Sequence, residues 1–233
     1  MKLEKITTRR PAKKSPPSAR SYDDACGAAH ALDLIGERWA LLVMRELMFG
    51  PKRFSDLRAG LPGISANVLT QRLERLEEIG ALSRRKLPPP AASHVYELTP
   101  WGHEIEPVLG VLGRWAARSP LHDPTLPLSA ASLMLSFKTM FDAKRAKGFK
   151  ARVGFRIGEE SFLVRIGDGE CDAARGACDD AEVVFAGAAT AIAAAVYGGV
   201  PLKALEAQGA LTVEGDRARA ERFTSLFPLP PKM

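Results

Sequence analysis

The stretch PGISANVLTQRLERLEEIGALSRRKLPPPAASHVYELTP, residues 62–100, decides the architecture of the N-terminal half. Pro62-Gly63 ends whatever precedes it, and Ser65 then stands as a helix N-cap, its hydroxyl able to accept from the free amides of a first turn. Leu69, Leu73 and Leu76 share one face of the run to Ile79, so the spacing predicts one amphipathic helix ending at Gly80. Leu82 to Leu87 and His94 to Leu98 both suit extended strands, and the Pro88-Pro89-Pro90-Ala91-Ala92-Ser93 loop between them can continue neither. The expectation is a capped helix followed by a β-hairpin.

Upstream, Phe54, Leu57 and Leu61 keep helical spacing, so a short helix, the Pro-Gly turn and the capped helix make a helix-turn-helix, with the hairpin as its wing. Two further helices are expected before Gly50-Pro51. One carries Cys26, Ala29, His30, Asp33 and Leu34 up to Gly36; the other carries Trp39, Leu42, Val43, Glu46 and Leu47. Downstream, Thr99-Pro100 supplies an N-cap with proline at the first helical position, opening a single expected helix through Trp101, Ile105, Val108, Leu112 and Trp115.

From Ser119 to Leu128 the chain is Pro-rich and aperiodic, which marks a linker. A helix of Leu133, Phe137, Met140 and Phe141 should follow, then alternating strands at Val153–Ile157 and Phe162–Ile166 joined by Gly158-Glu159-Glu160. After Gly167-Asp168-Gly169 the pattern predicts a strand at Ala181–Phe185, an Ala-rich helix from Thr190 to Tyr197, a helix near Leu202 to Gln208, a strand at Leu211–Val213 and a last helix to Phe227. The fold class is mixed: a mainly α winged domain, then an α+β domain. The boundaries read as 1–21 tail, 22–119 winged domain, 120–128 linker and 129–233 second domain.

Composition narrows the function. Residues 1–20 carry seven lysines and arginines against Glu4 alone, so this tail holds the whole net charge of +6. Rich in Pro, Ser and Lys, it reads as disordered, either a solubilising leader or an arm that adds phosphate contact. No apolar run of about 18 residues offers a membrane span. Three cysteines, an odd number with no C-x-x-C pair, speak against a disulfide framework and a zinc site, and fit a reducing cytoplasm. His30, His94, His103 and His122 show no ligand spacing, and Cys171, Cys178 and Gly167-Asp168-Gly169 match no catalytic constellation, so neither a metal, a cofactor nor an enzyme is expected.

The charge within the motif points to double-stranded DNA. Residues 52–86 hold eight basic side chains against Asp56, Glu74, Glu77 and Glu78. Stepping 100° per residue from the leucine face turns Asn67, Gln71, Glu74 and Arg75 outward, with Thr70 and Arg72 at the flanks. The expected DNA-binding set is therefore Lys52, Arg53, Ser65, Asn67, Thr70, Gln71, Arg72, Arg75, Arg84, Arg85 and His94. Asn67, Thr70 and Gln71 would reach base edges, and the basic side chains would fix register on phosphate.

Residues 26–118 resemble the HxlR-type winged-helix regulators. The likeness is carried by Cys26, Ala31 to Trp39, Gly50-Pro51-Lys52-Arg53-Phe54, Gly63-Ile64-Ser65, Val68 to Leu73, Val95 to Thr99 and Gly102. It implies a homodimeric repressor or activator whose first and last helices pair the subunits, without a catalytic centre. Cys26 stands where redox-sensing members carry their thiol, and is a candidate redox residue. Ala91-Ala92-Ser93-His94 departs from a wing stretch that is often basic in the family, which weakens minor-groove contact there.

Residues 128–227 resemble the sterol-carrier-protein fold in Ala181–Phe185, Ala191 to Gly199, Gly209 to Asp216 and Ala220-Glu221-Arg222-Phe223. That resemblance implies an α+β sandwich around an apolar tunnel, although a shared fold does not by itself show a bound lipid. Phe137, Phe141, Phe155, Phe162, Val164, Tyr197 and Leu205 either close a packed core or line a pocket for a small apolar or amphipathic effector. The expected function is a ligand-responsive, sequence-specific DNA-binding dimer. The alternative is a carrier or storage protein for an apolar molecule, with DNA binding secondary.

Overall fold

The computed structural model describes residues 21–88 and 93–233; the expected tail up to residue 20 and the tip of the wing, residues 89–92, lie outside them. Two units are present, divided between Glu37 and Arg38. In the first, α1 (Gly27–Ile35) follows the extended N-cap Cys26, and the carboxylate of Asp33 accepts from the amide of Tyr22 at 3.1 Å.

The second unit begins with α2 (Ala40–Leu47), α3 (Phe54–Ala59) and α4 (Ala66–Glu78). Between α3 and α4 the turn needs a positive φ, and Gly63 supplies it at 89° without a Cβ penalty. Ser65 caps α4 as expected, its hydroxyl accepting from the amide of Val68 at 3.3 Å. Strands β1 (Leu82–Lys86) and β2 (His94–Leu98) pair antiparallel, from Leu82 opposite Leu98 to Lys86 opposite His94. Leu82 and Val95 thereby join Val43, Leu47, Leu57, Leu69, Leu73 and Leu76 in one buried cluster.

The single helix expected after Thr99 is two: α5 (Pro100–His103) and α6 (Glu106–Ala116). Pro107 explains the break, since it has no amide to donate to the carbonyl of His103 and its ring crowds that carbonyl. Gly102 marks a close approach in α5: a Cβ there would meet the carbonyl oxygen of Ala81 at 1.9 Å.

From α7 (Ala130–Met140) the chain enters a five-stranded sheet of β3 (Ala151–Ile157), β4 (Glu160–Gly167), β5 (Glu170–Arg175), β6 (Val183–Gly187) and β7 (Leu211–Gly215). The order is β5-β4-β3-β6-β7, and only β3 and β6 run parallel. Helices α8 (Ala189–Val196), α9 (Leu202–Ala207) and α10 (Arg217–Thr224) complete the α+β layer. Strand β5 was not expected. It follows β4 through Asp168 at φ 54° and Gly169 at φ 84°, a two-residue turn whose twist suits a hairpin.

The inward face expected of β3 and β4 is present in part, with Val153 opposite Val164 and Phe155 opposite Phe162, all four fully buried. Ile157 is only half-buried, and Gly154 and Leu163 on the other face are buried as well, Gly154 against Cys178 and Ala181. Phe137 of α7 closes the inward face, with ring centroids 5.3 Å from Phe155, 5.4 Å from Phe223 and 4.9 Å from Phe227. Segment 119–128 runs without helix or strand, yet the regions on either side of it touch directly, because α6 and α2 both pack on α7. No helix among the described residues is long and apolar enough to cross a membrane.

Candidate nucleic-acid interface

Helix α4 owes its place to Leu69, Leu73 and Leu76, which are buried against α2 and β1. That burial turns Asn67, Thr70, Gln71 and Glu74 to solvent, all four exposed, while Arg72 and Arg75 are half-buried at the flanks. Asn67, Thr70 and Gln71 lie three and four residues apart in the N-terminal part of the helix, so their amide and hydroxyl groups form one polar patch. Such groups match the donor and acceptor edges of bases in a major groove, which is wide enough to admit a helix.

Exposed basic side chains stand on the elements around this patch. Arg53 precedes α3, Arg58 lies within it, and Arg84, Arg85 and Lys86 line β1. Arg85 pairs with Glu97 at 2.9 Å across the hairpin, and the Arg84 guanidinium lies 5.8 Å from the centre of the Tyr96 ring. Arg53, Arg58, Arg84 and Lys86 form no salt bridge among the described residues. His94 is exposed at the end of β2, and Ser65 is committed to its cap. Arg75 pairs with Glu78 at 2.8 Å, and the Nε of Arg72 donates to the carbonyl of Arg38 at 3.1 Å.

Lys52 departs from the expectation of a phosphate contact. It is 4% exposed, and its ammonium sits 3.0 Å from Glu46 on one side and 3.0 Å from Glu160 of β4 on the other. Within the Gly50 to Phe54 motif it looks like one more basic surface residue; only the fold brings the distant Glu160 to it.

Helix α6 has two unlike faces. Glu106, Gly110 and Arg114, four residues apart, meet α7: Glu106 pairs with Lys138, Arg114 donates to the carbonyl of Thr139, and a methyl at Gly110 would stand 3.4 Å from the Thr139 hydroxyl. On the opposite face Val108, Val111, Leu112 and Trp115 are exposed, Val111 to 70% and Trp115 to 68%. Trp101 of α5 is exposed as well.

The thiols differ in reactivity. Cys26 is exposed, and the amides of Ala29 and Ala28 at the start of α1 hold its pKa below the usual thiol value by favouring thiolate. Burial pushes Cys171 up to about 12. In the second domain, Phe137, Phe155, Phe162, Val164 and Leu205 are buried and Phe141 and Tyr197 half-buried, the hydroxyl of Tyr197 lying 2.7 Å from that of Ser136. A cleft of about 540 Å³ lies elsewhere, lined by Val196, Val200, Leu202 and Phe227 together with Arg145, Lys203, Arg217 and Glu221, the last two paired at 3.2 Å.

Residues 34–122 match the family described as HxlR-like helix-turn-helix, and residues 135–228 match the SCP-2 sterol transfer family. YvaP of Bacillus subtilis, named an uncharacterised HTH-type transcriptional regulator, is 37% identical over 86 residues, which are 37% of this chain and 80% of YvaP. The uncharacterised HTH-type transcriptional regulator sll1512 of Synechocystis is 42% identical over 84 residues, 36% of this chain and 62% of its own length. The solved reduced form of the transcriptional regulator YodB from B. subtilis is 33% identical, covers 42% of this chain and 98% of its own, and superposes with a TM-score of 0.38. The chain is thus a helix-turn-helix transcriptional regulator that carries a second domain of SCP-2 type, and it belongs to the HxlR-like helix-turn-helix family.

Proposed function

We propose that this protein is a sequence-specific DNA-binding homodimer that reads base edges with Asn67, Thr70 and Gln71. The observation that carries this reading is the exposed polar patch on α4, opposite its buried leucines and beside the basic side chains of α3 and β1. Arg53, Arg58, Arg84 and Lys86 supply sequence-independent phosphate contact. The second subunit covers the exposed apolar face of α6, since a two-fold axis lets one patch serve both partners.

A titration with a duplex selected from a random pool tests the assignment. Gln71→Ala is expected to weaken the selected duplex by ~1–3 kcal/mol while leaving a random duplex nearly untouched, whereas Arg84→Ala weakens both and flattens the salt dependence. Equal losses of Gln71→Ala on the two duplexes would remove α4 from the reading role.

The cleft beside α10 favours an amphipathic anion as effector through Lys203, which forms no ion pair among the described residues and stands beside an apolar lining, whereas Arg217 is already paired with Glu206 and Glu221. Anilinonaphthalene sulfonate, an anionic apolar dye, is expected to bind the full-length protein about tenfold more weakly after Val200→Asp, which puts a carboxylate into the lining. Unchanged dye affinity would place the effector elsewhere.

A further inference from the structure

The junction between α2 and the end of the β3–β4 hairpin holds a chain of charges that plays no part in reading bases. Glu46 is fully buried. Its Oε1 accepts from Arg45 at 2.9 Å and from the hydroxyl of Ser129 at 2.6 Å, and Ser129 is itself the N-cap of α7. Its Oε2 accepts from the Lys52 ammonium, which also reaches Oε1 of Glu160. The other oxygen of Glu160 receives Arg175 of β5 at 2.9 Å. Arg175 in turn donates to the carbonyl of Phe49 at 3.3 Å and lies 5.3 Å from the centre of the Phe162 ring, which Phe49 meets edge-on at 5.9 Å.

The backbone of Lys52 is occupied as well. Its amide donates to the carbonyl of Tyr96 at 3.0 Å and its carbonyl accepts from the amide of Tyr96 at 2.9 Å, so Lys52 is joined to β2 of the wing by one isolated antiparallel bridge. The next residue, Arg53, opens α3, its amide donating to Asp56 at 3.3 Å. Lys52 is therefore held at both ends. Its main chain is pinned to the wing and to the start of the helix-turn-helix, and its side chain is pinned to a carboxylate of the second domain.

We propose that Lys52 is a positioning residue of the DNA-binding surface, through which Glu160 and Arg175 of the second domain set the wing and α3 relative to α4. A buried ammonium between two carboxylates has one low-energy position, because leaving it strands charge away from water. Any repacking at the β3–β4 hairpin end thus displaces the wing base instead of being absorbed by segment 119–128. This inference rests on the DNA-binding reading above.

The test uses the full-length protein and the selected duplex, with affinities measured over a range of salt for Glu160→Gln, Lys52→Met, Lys52→Arg and the double Lys52→Met/Glu160→Gln. Glu160→Gln and Lys52→Met are each expected to weaken the selected duplex about tenfold, within the usual range for coupled sites, without changing random-duplex affinity or the salt slope. The double variant should be no weaker than Lys52→Met, as members of one network are not additive, and Lys52→Arg should recover most of the loss. A phosphate contact gives the opposite pattern. Lys52→Met then lowers the salt slope by about one unit, and Glu160→Gln, which frees the ammonium, strengthens both duplexes. Either of those results overturns the proposal, as does a fall in thermal midpoint with unchanged affinity below it. Where Lys52→Met does not fold, the part-exposed Glu160→Gln carries the same decision. A wild-type protein that selects no duplex overturns the DNA-binding reading too, whereas wild-type selection with unaffected variants overturns the positioning role alone.

Discussion

Val111→Glu combined with Trp115→Glu is expected to turn the protein into a monomer that binds its selected duplex at least about a hundredfold more weakly. Both side chains lie on the exposed apolar face of α6, one turn apart. Burying a large apolar side chain against a partner contributes roughly 1.5–3 kcal/mol, and a two-fold axis counts each residue twice. Glutamate removes that gain and sets like charges against one another across the axis, so the combined loss exceeds the ~2.7 kcal/mol that corresponds to a hundredfold. The fold itself should survive, because the α7-facing side of α6 keeps Glu106, Gly110 and Arg114. Light scattering at micromolar concentration, with circular dichroism as a check on folding, decides the matter. A double variant that stays dimeric and still binds would move the subunit interface away from α6.

The largest stability effect is expected for Glu46→Ala. Its carboxylate is fully buried and answers Arg45, Lys52 and Ser129 at once; without it the Lys52 ammonium keeps only Glu160, and the hydroxyl of Ser129 loses an acceptor. Removing one partner from a buried ion pair costs about 3–5 kcal/mol, much of it from the charge left behind. For a chain of this length that corresponds to a midpoint lower by roughly 6–20 °C. A loss under about 1 kcal/mol in urea unfolding would show that water reaches the junction and that the network is structurally minor.

Much of the winged region was legible because its signals are local. Ser65 caps where a cap was expected, the leucine spacing set the buried face of α4, and Thr99 with Pro100 opened α5. The continuous helix expected beyond Thr99 failed on Pro107, whose cost falls on the carbonyl four residues earlier, at His103. Strand β5 was missed although Asp168-Gly169 is a strong hairpin dipeptide. Its residues, Glu170 to Arg175, pair only small apolar groups with charges, so the alternation is faint. The burial of Lys52 was not legible, for a deeper reason. A lysine in a basic motif looks the same whether it faces phosphate or a carboxylate 108 residues further along the chain, and only tertiary structure brings Glu160 to it. Glu46 did carry a signal, as the charged residue on the otherwise apolar repeat of Trp39, Leu42, Val43 and Leu47, but nothing local named its partners; Arg175 offered none.

The ends of the five-stranded sheet carry one more consequence, for self-association. An open sheet invites extension by another copy wherever an edge strand is long, flat and apolar. Here β5 and β7 form the edges; β5 carries Glu170 and Asp172 exposed and is flanked by α7, while β7 has five residues and carries Glu214 exposed. None of the exposed large apolar side chains among the described residues lies on a strand of this sheet. Growth by strand addition, which propagates without limit, is thereby discouraged, while the exposed stripe of α6 is a short patch that a two-fold axis closes after two subunits. Even at high local concentration, crowding should favour a finite assembly over a fibre.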